Sequence, residues 1–84
     1  MARLTRRPRR RHVIHYADLA TYIAETGDPQ VNIAARVQTS QANISRIAAG
    51  DLVPRPRLAL RIAKYARIPL DSFVRVHLAK HADN

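Results

Sequence analysis

QVNIAARVQTSQANISRIAA, residues 30–49, is the stretch on which the reading of this chain turns. Two short helical patterns flank a polar break. Ile33 and Val37 lie four apart, and Ile44 and Ile47 three apart, so each segment offers one apolar stripe to a shared core. Ala34 places a small side chain in the middle of the first segment, where a larger one would push the second away. Gln38-Thr39-Ser40 suits a tight turn, with Ser40 able to cap the following helix. Gly50 comes just after that helix, where a left-handed residue commonly ends one. Helices this short are not stable alone, so the pair makes sense only when docked, with its outer face free. That face reads Gln41, Ala42, Asn43, Ser45 and Arg46, which is hydrogen-bonding chemistry rather than core chemistry.

Working outward, a helical period begins at Tyr16 and places Tyr16, Leu19, Ala20 and Ile23 on one face, ending near Thr26-Gly27. His12-Val13-Ile14-His15 before it fits either a short extended piece or the approach to that helix. Asp28-Pro29 predicts the next helix start, with Asp28 as N-cap and Pro29 in the first helical position. After Gly50, prolines stiffen the loop Asp51-Leu52-Val53-Pro54-Arg55-Pro56. A fourth helix over about 56–66 buries Leu58, Ala59, Ile62, Ala63 and Ala66 and turns Arg57, Arg61 and Lys64 outward. Pro69 ends that segment. Asp71 is placed to cap a fifth helix over about 72–80, whose best apolar face is Phe73, Val74, His77 and Leu78. There is no repeat and no clear strand alternation. The pattern predicts an all-α domain of five short helices over residues 13–81, preceded by a basic arm over 1–12 and followed by a tail over 82–84.

Charge narrows the class of partner. Eighty-four residues make one small domain, and 15 Lys and Arg against 6 Asp and Glu give a net charge of +9. With a pI near 11.5, such a domain suits a polyanion or an anionic membrane surface. No apolar run approaches the roughly 18 residues of a membrane span. The N-terminal arginines are not followed by the apolar stretch of a secretory leader. The absence of cysteine excludes a disulfide framework and a thiolate metal site, and fits a reducing cytoplasm. Arg3, Arg6, Arg7, Arg9, Arg10 and Arg11 put six basic charges ahead of His12, with Pro8 among them and no acid. Like charges at this density predict an arm that is disordered when free, either a solubilising tail or a segment that follows nucleic acid.

Ile33-Ala34, Thr39-Ser40-Gln41, Ile44-Ser45-Arg46-Ile47 and Gly50 together resemble the helix-turn-helix of the Cro and phage-repressor family. The resemblance extends less specifically over about residues 16–73. It implies a lambda-repressor-like helix-turn-helix domain and a sequence-specific double-stranded DNA-binding transcriptional regulator, a small phage or bacterial repressor working in the cytoplasm at the nucleoid. It also implies a left-handed turn residue at Gln38, where the family usually has glycine; a non-glycine there costs about 1 kcal/mol. The second helix of the pair, about 40–49, would lie in the major groove. Gln41 at its tip would contact a base, since an amide gives adenine one donor and one acceptor. Ala42 would allow close approach or touch a thymine methyl, and Asn43 and Arg46 would reach base edges or phosphates. Gln30, Ser40, Ser45, Arg55 and Arg57 are the candidate phosphate contacts, with Arg55 and Arg57 where related repressors grip the backbone. Ser45 can instead bond back to its own helix. Arg36 fits either role, and Arg61 and Lys64 read as an ordinary solvated face. The six arm arginines are candidates for the minor groove or adjacent backbone, for which arginine suits better than lysine.

An enzyme is not indicated, because no nucleophile–His–carboxylate set and no glycine-rich phosphate loop occurs. His77 and His81 are four apart on a helix, a spacing that can hold zinc. Without cysteine or a neighbouring carboxylate the pair makes a weak site and His77 reads as packed at the core edge, so no metal or cofactor is expected. One short recognition helix carries too little information to find a site in a genome, which predicts a weak homodimer completed on DNA, with Val76 and Ala79 as its surface. Two other classes stay open on the same residues. A partner-binding protein such as an antitoxin would use Leu52-Val53, Leu60, Val76 and Ala79 to hold a toxin or another regulator. An architectural or recombination-directionality factor would bind DNA mainly through the arm.

Overall fold

Capping residues set the helix boundaries in the computed structural model, which describes residues 13–82. Five helices follow one another: α1 Leu19–Thr26, α2 Gln30–Val37, α3 Gln41–Ala49, α4 Pro56–Ala66 and α5 Ser72–Lys80. No strand occurs among the described residues. The arm expected at residues 1–12 and the last two tail residues lie outside them.

The first helix starts later than its periodicity predicts. Asp18 is the N-cap, its Oδ1 accepting the Thr21 N–H at 2.8 Å, so Tyr16 precedes the helix and Ala20 is exposed. The stretch before α1 is neither helix nor strand. The His15 and Tyr16 N–H groups both donate to the Arg67 carbonyl, at 2.8 and 3.2 Å. The N-terminal segment therefore joins the body at the C-terminal end of α4, where Arg67 takes a left-handed conformation that its sequence does not announce.

The start of α2 is also shifted. Pro29 occupies the N-cap and Gln30 is the first helical residue, with no side-chain cap. Asp28 is not the cap because its carboxylate is engaged elsewhere. It accepts from the hydroxyls of Tyr22 at 2.6 Å and Tyr65 at 2.7 Å and from Asn32 Nδ2 at 2.7 Å. At the far end of α2, Gln38 is left-handed (φ 63°), as a glycine would be, and both it and Thr39 donate their N–H to the Ala34 carbonyl. Ser40 then caps α3, its Oγ accepting the Asn43 N–H at 3.1 Å. Gly50 ends α3 with φ 85°.

The core is a contiguous apolar cluster in which Ile33, Ile44, Ile62 and Ile68 are wholly buried, with Leu19, Val37, Ala63 and Phe73 nearly so. Full burial of each such large side chain stabilises the fold by roughly 1.5–3 kcal/mol. Ala34 is buried where α2 meets α3, the most closely packed helix pair, and α3 also touches α1 and α5. On α4 the buried residues are Ala59, Ile62, Ala63 and Ala66, with Leu58 partly covered, as its spacing predicts.

The fifth helix departs from its predicted face. Phe73 is buried and Val76 and His77 are partly buried, but Val74 and Leu78 face solvent. The cause is the end of α3. Val76 lies against Gly50, with its Cγ1 only 3.0 Å from the position a Cβ on Gly50 would take, and His77 Nδ1 sits 2.9 Å from the Gly50 carbonyl. Val76 is thus engaged with α3 rather than spare for a dimer surface, while Ala79 is exposed. Asp71 makes no side-chain cap; it pairs with Arg75 at 3.5 Å across solvent-exposed surface.

Candidate functional site

The outer surface of α3 is set by what lies beneath it. Ile44 and Ile47 are buried, which fixes the rotation of the helix and turns Gln41, Ala42, Ser45 and Arg46 outward. All four are exposed. Asn43 differs from them. It is half-buried, and its Nδ2 donates to Thr39 Oγ1 at 2.9 Å, which binds the first turn of α3 to the preceding turn. One N–H of its amide is therefore engaged internally, leaving the second N–H and Oδ1 available to a ligand. The spacing of Thr39 and Asn43, four apart across a turn, was a signal for this bond.

Gln30 opens α2 and is half-buried, while Ser40 is exposed with its oxygen already accepting the capping hydrogen bond. Its hydroxyl hydrogen remains free to donate. Arg55 is the backbone N-cap of α4, and Arg57 lies in that helix's first turn; both are exposed. No acidic residue occupies the first turn of α2, α3 or α4. A guanidinium at the positive end of a helix dipole is unfavourable by roughly 0.3–1 kcal/mol, and an anion bound there offsets that cost.

Salt bridges are few, and they leave most of the described cations, on this face and on others, without a close acid. Among the described residues Lys80 pairs with Asp51 at 2.7 Å and Arg75 with Asp71, whereas Arg36, Arg46, Arg55 and Arg57 form no ion pair. The Lys80 hydrogen bond holds the Asp51 carboxyl below its ordinary range. Asp51 also follows Gly50, so this pair fixes the loop leaving α3 against α5.

The polar cluster around Asp28 positions the start of α2 and was not legible from spacing, because its members come from three helices or their ends. Tyr22 and Tyr65 approach edge-on with centroids 6.0 Å apart, and Tyr16 packs on Tyr22 at 5.3 Å. Burial, then the hydrogen bond to Asp28, pushes the Tyr22 hydroxyl up. Its own hydrogen bond to Asp28, then burial, pushes up Tyr65. Burial alone would raise Asp28, but the two hydroxyls, the Asn32 amide and nearby Arg36 hold it below the usual carboxylate range. Gln30 stands two residues beyond this anchored carboxylate.

On α5 and just beyond it, the His77 and His81 rings lie with centroids 4.5 Å apart and planes tilted by 47°. No helix among the described residues is long and apolar enough to cross a membrane. No family model matches this chain, and neither a curated protein nor a solved structure is detectably similar to it.

Proposed function

We propose that this chain is a sequence-specific double-stranded DNA-binding transcriptional regulator of the Cro and lambda-repressor type, with α2, the turn at 38–40 and α3 as its helix-turn-helix. The observation that carries the proposal is the outer surface of α3. It is polar, exposed and free of acids, and Arg46, Arg55 and Arg57 are without ion pairs among the described residues. A surface whose cations form no close ion pair is electrostatically prepared for an external polyanion.

In the proposed complex α3 enters the major groove. Gln41 reads a base edge, Ala42 allows the close approach, and Arg46 reaches guanine or phosphate. Asn43 contributes through Oδ1 as acceptor or through its second Nδ2 N–H as donor. Gln30, Ser40, Ser45, Arg55 and Arg57 hold the backbone on either side, which fixes register without reading sequence. The arginines at residues 3–11 follow adjacent backbone or minor groove and supply much of the salt-dependent affinity.

The test is an unbiased selection from random duplexes with the purified chain, followed by footprinting of the selected site. A recovered consensus that loses discrimination at one base pair when Gln41 is replaced supports the proposal. Binding of all duplexes with equal affinity would leave an architectural factor in its place.

A further inference from the structure

We infer that Asn43 reads adenine and that Thr39 holds its amide in the orientation this requires, an inference that rests on the DNA-binding reading proposed above. Thr39 stands in the turn between α2 and α3, and its own N–H donates to the Ala34 carbonyl at 2.9 Å. Asn43 lies in the first turn of α3. Its backbone N–H donates to Ser40 Oγ at 3.1 Å, and its Nδ2 donates to Thr39 Oγ1 at 2.9 Å. Both side chains are half-buried. The amide is therefore tied through the turn to the end of α2, where Ala34 and Val37 belong to the core. An Asn side chain without such a tie turns about its last bond between two orientations that exchange donor for acceptor.

The atoms left free select the ligand. A side-chain amide carries two N–H donors and one accepting oxygen. Thr39 takes one N–H, so one N–H and Oδ1 remain. A phosphate uses only the N–H, because its oxygens have no hydrogen to give Oδ1. Holding donor and acceptor together thus matters at a base edge. In the major groove guanine presents two acceptors, N7 and O6, which oppose Oδ1. Cytosine presents a donor alone, and thymine an acceptor beside a methyl group. Adenine presents N7 as acceptor and the N6 amino group as donor, and so matches both free atoms of the held amide. The place in the helix fits the same role, since the N-terminal residues of a recognition helix are those that meet base edges.

The probes are the duplex that the full chain selects from a random pool, the same duplex with each base pair substituted singly, and random duplex. Asn43→Ala should reduce discrimination at one A·T pair by roughly fivefold to a hundredfold. Thr39→Val keeps the β-branched shape and the backbone bond but removes the hydroxyl. It should reduce discrimination at that same pair by about two- to tenfold, leaving the affinity for random duplex and the circular dichroism spectrum as in the parent. Thr39→Ser should retain the discrimination. In an Asn43→Ala background Thr39→Val should have no further effect, because no amide is left to hold. NMR relaxation of the Asn43 side-chain amide reads the bond without DNA: it should be as rigid as α3 in the parent and in Thr39→Ser, and mobile in Thr39→Val. The inference is overturned if the pair sensitive to Asn43→Ala is not A·T, if Thr39→Val leaves discrimination intact, or if the amide is mobile in the parent. Equal weakening of selected and random duplex by Thr39→Val overturns it too, and makes Thr39 a phosphate-contacting or structural residue. A parent chain that selects no consensus refutes the DNA-binding reading itself and takes this role with it, even where the amide is rigid.

Discussion

Gly50 and Gly27 offer a matched pair for testing how α3 is seated. Both glycines end a helix in the left-handed region, at φ 85° and 72°. A methyl at either position incurs the left-handed penalty of about 1 kcal/mol. Their surroundings differ. Nothing lies within 4 Å of a Cβ on Gly27, whereas a Cβ on Gly50 would stand 3.0 Å from Val76 Cγ1 and 3.2 Å from the Val76 carbonyl oxygen. The side-chain contact can yield, but the carbonyl belongs to the backbone of α5, so relief requires α3 and α5 to separate. Overpacking of this sort adds roughly 1–3 kcal/mol. Gly27→Ala should therefore cost about 1 kcal/mol and Gly50→Ala about 2–4 kcal/mol. Urea denaturation followed by circular dichroism measures both on one scale. In a Val76→Ala background the penalty of Gly50→Ala should shrink without vanishing, because the carbonyl contact persists. Equal destabilisation by the two glycine substitutions would refute the packing of Val76 beneath the end of α3.

Other outcomes follow from the proposed function and from the cluster around Asp28. Gln41→Ala should weaken binding to the selected duplex by roughly 1–3 kcal/mol and leave random DNA nearly unaffected; equal losses on both, by electrophoretic mobility shift, would make Gln41 a phosphate or structural residue. Removal of residues 1–11 deletes six arginines and no residue expected in the core, so thermal unfolding should be retained while the salt slope of DNA binding flattens by about 0.9 for each phosphate that the arm no longer neutralises. An unchanged slope would show that the arm does not touch DNA. The Asp28 carboxyl is held below its unfolded value, so its contribution is present above about pH 4 and is lost as pH falls through the lower folded value. The tyrosines are shifted the other way, so their part is complete below about pH 10 and is lost as pH rises through their higher folded values. Asp28→Asn should lower stability at neutral pH by about 1.5 kcal/mol and flatten the acid limb of a stability–pH curve; an unaltered acid limb would place the titrating group elsewhere.

Periodicity and capping chemistry made much of the helical fold legible. Ile33, Val37, Ile44 and Ile47 announce two helices sharing a core, Ser40 caps α3 as its position predicts, and the apolar spacing of α4 matches its buried face. These are local properties, in which the residue type and its neighbours within one or two turns decide the outcome. The rotation of α5 was not local. Val74 and Leu78 fit an apolar face as well as Val76 does, and only the missing side chain at Gly50, more than twenty residues away, makes room for Val76 instead. Asp28 shows the same limit. Its type and its proline neighbour spell a helix cap, but Tyr22 and Tyr65 converge on its carboxylate only once α1, α2 and α4 are packed. The chemistry of α3's outer face was likewise written in the order Gln41, Ala42, Asn43, Ser45, Arg46, whereas the commitment of Asn43 Nδ2 to Thr39 required the turn to close. Sequence alone determined which segments become helices, how basic the chain is and which polar groups it can present. Tertiary packing decided which of several equivalent apolar faces was buried and which polar atoms were already spent, because both depend on partners brought together from distant parts of the chain.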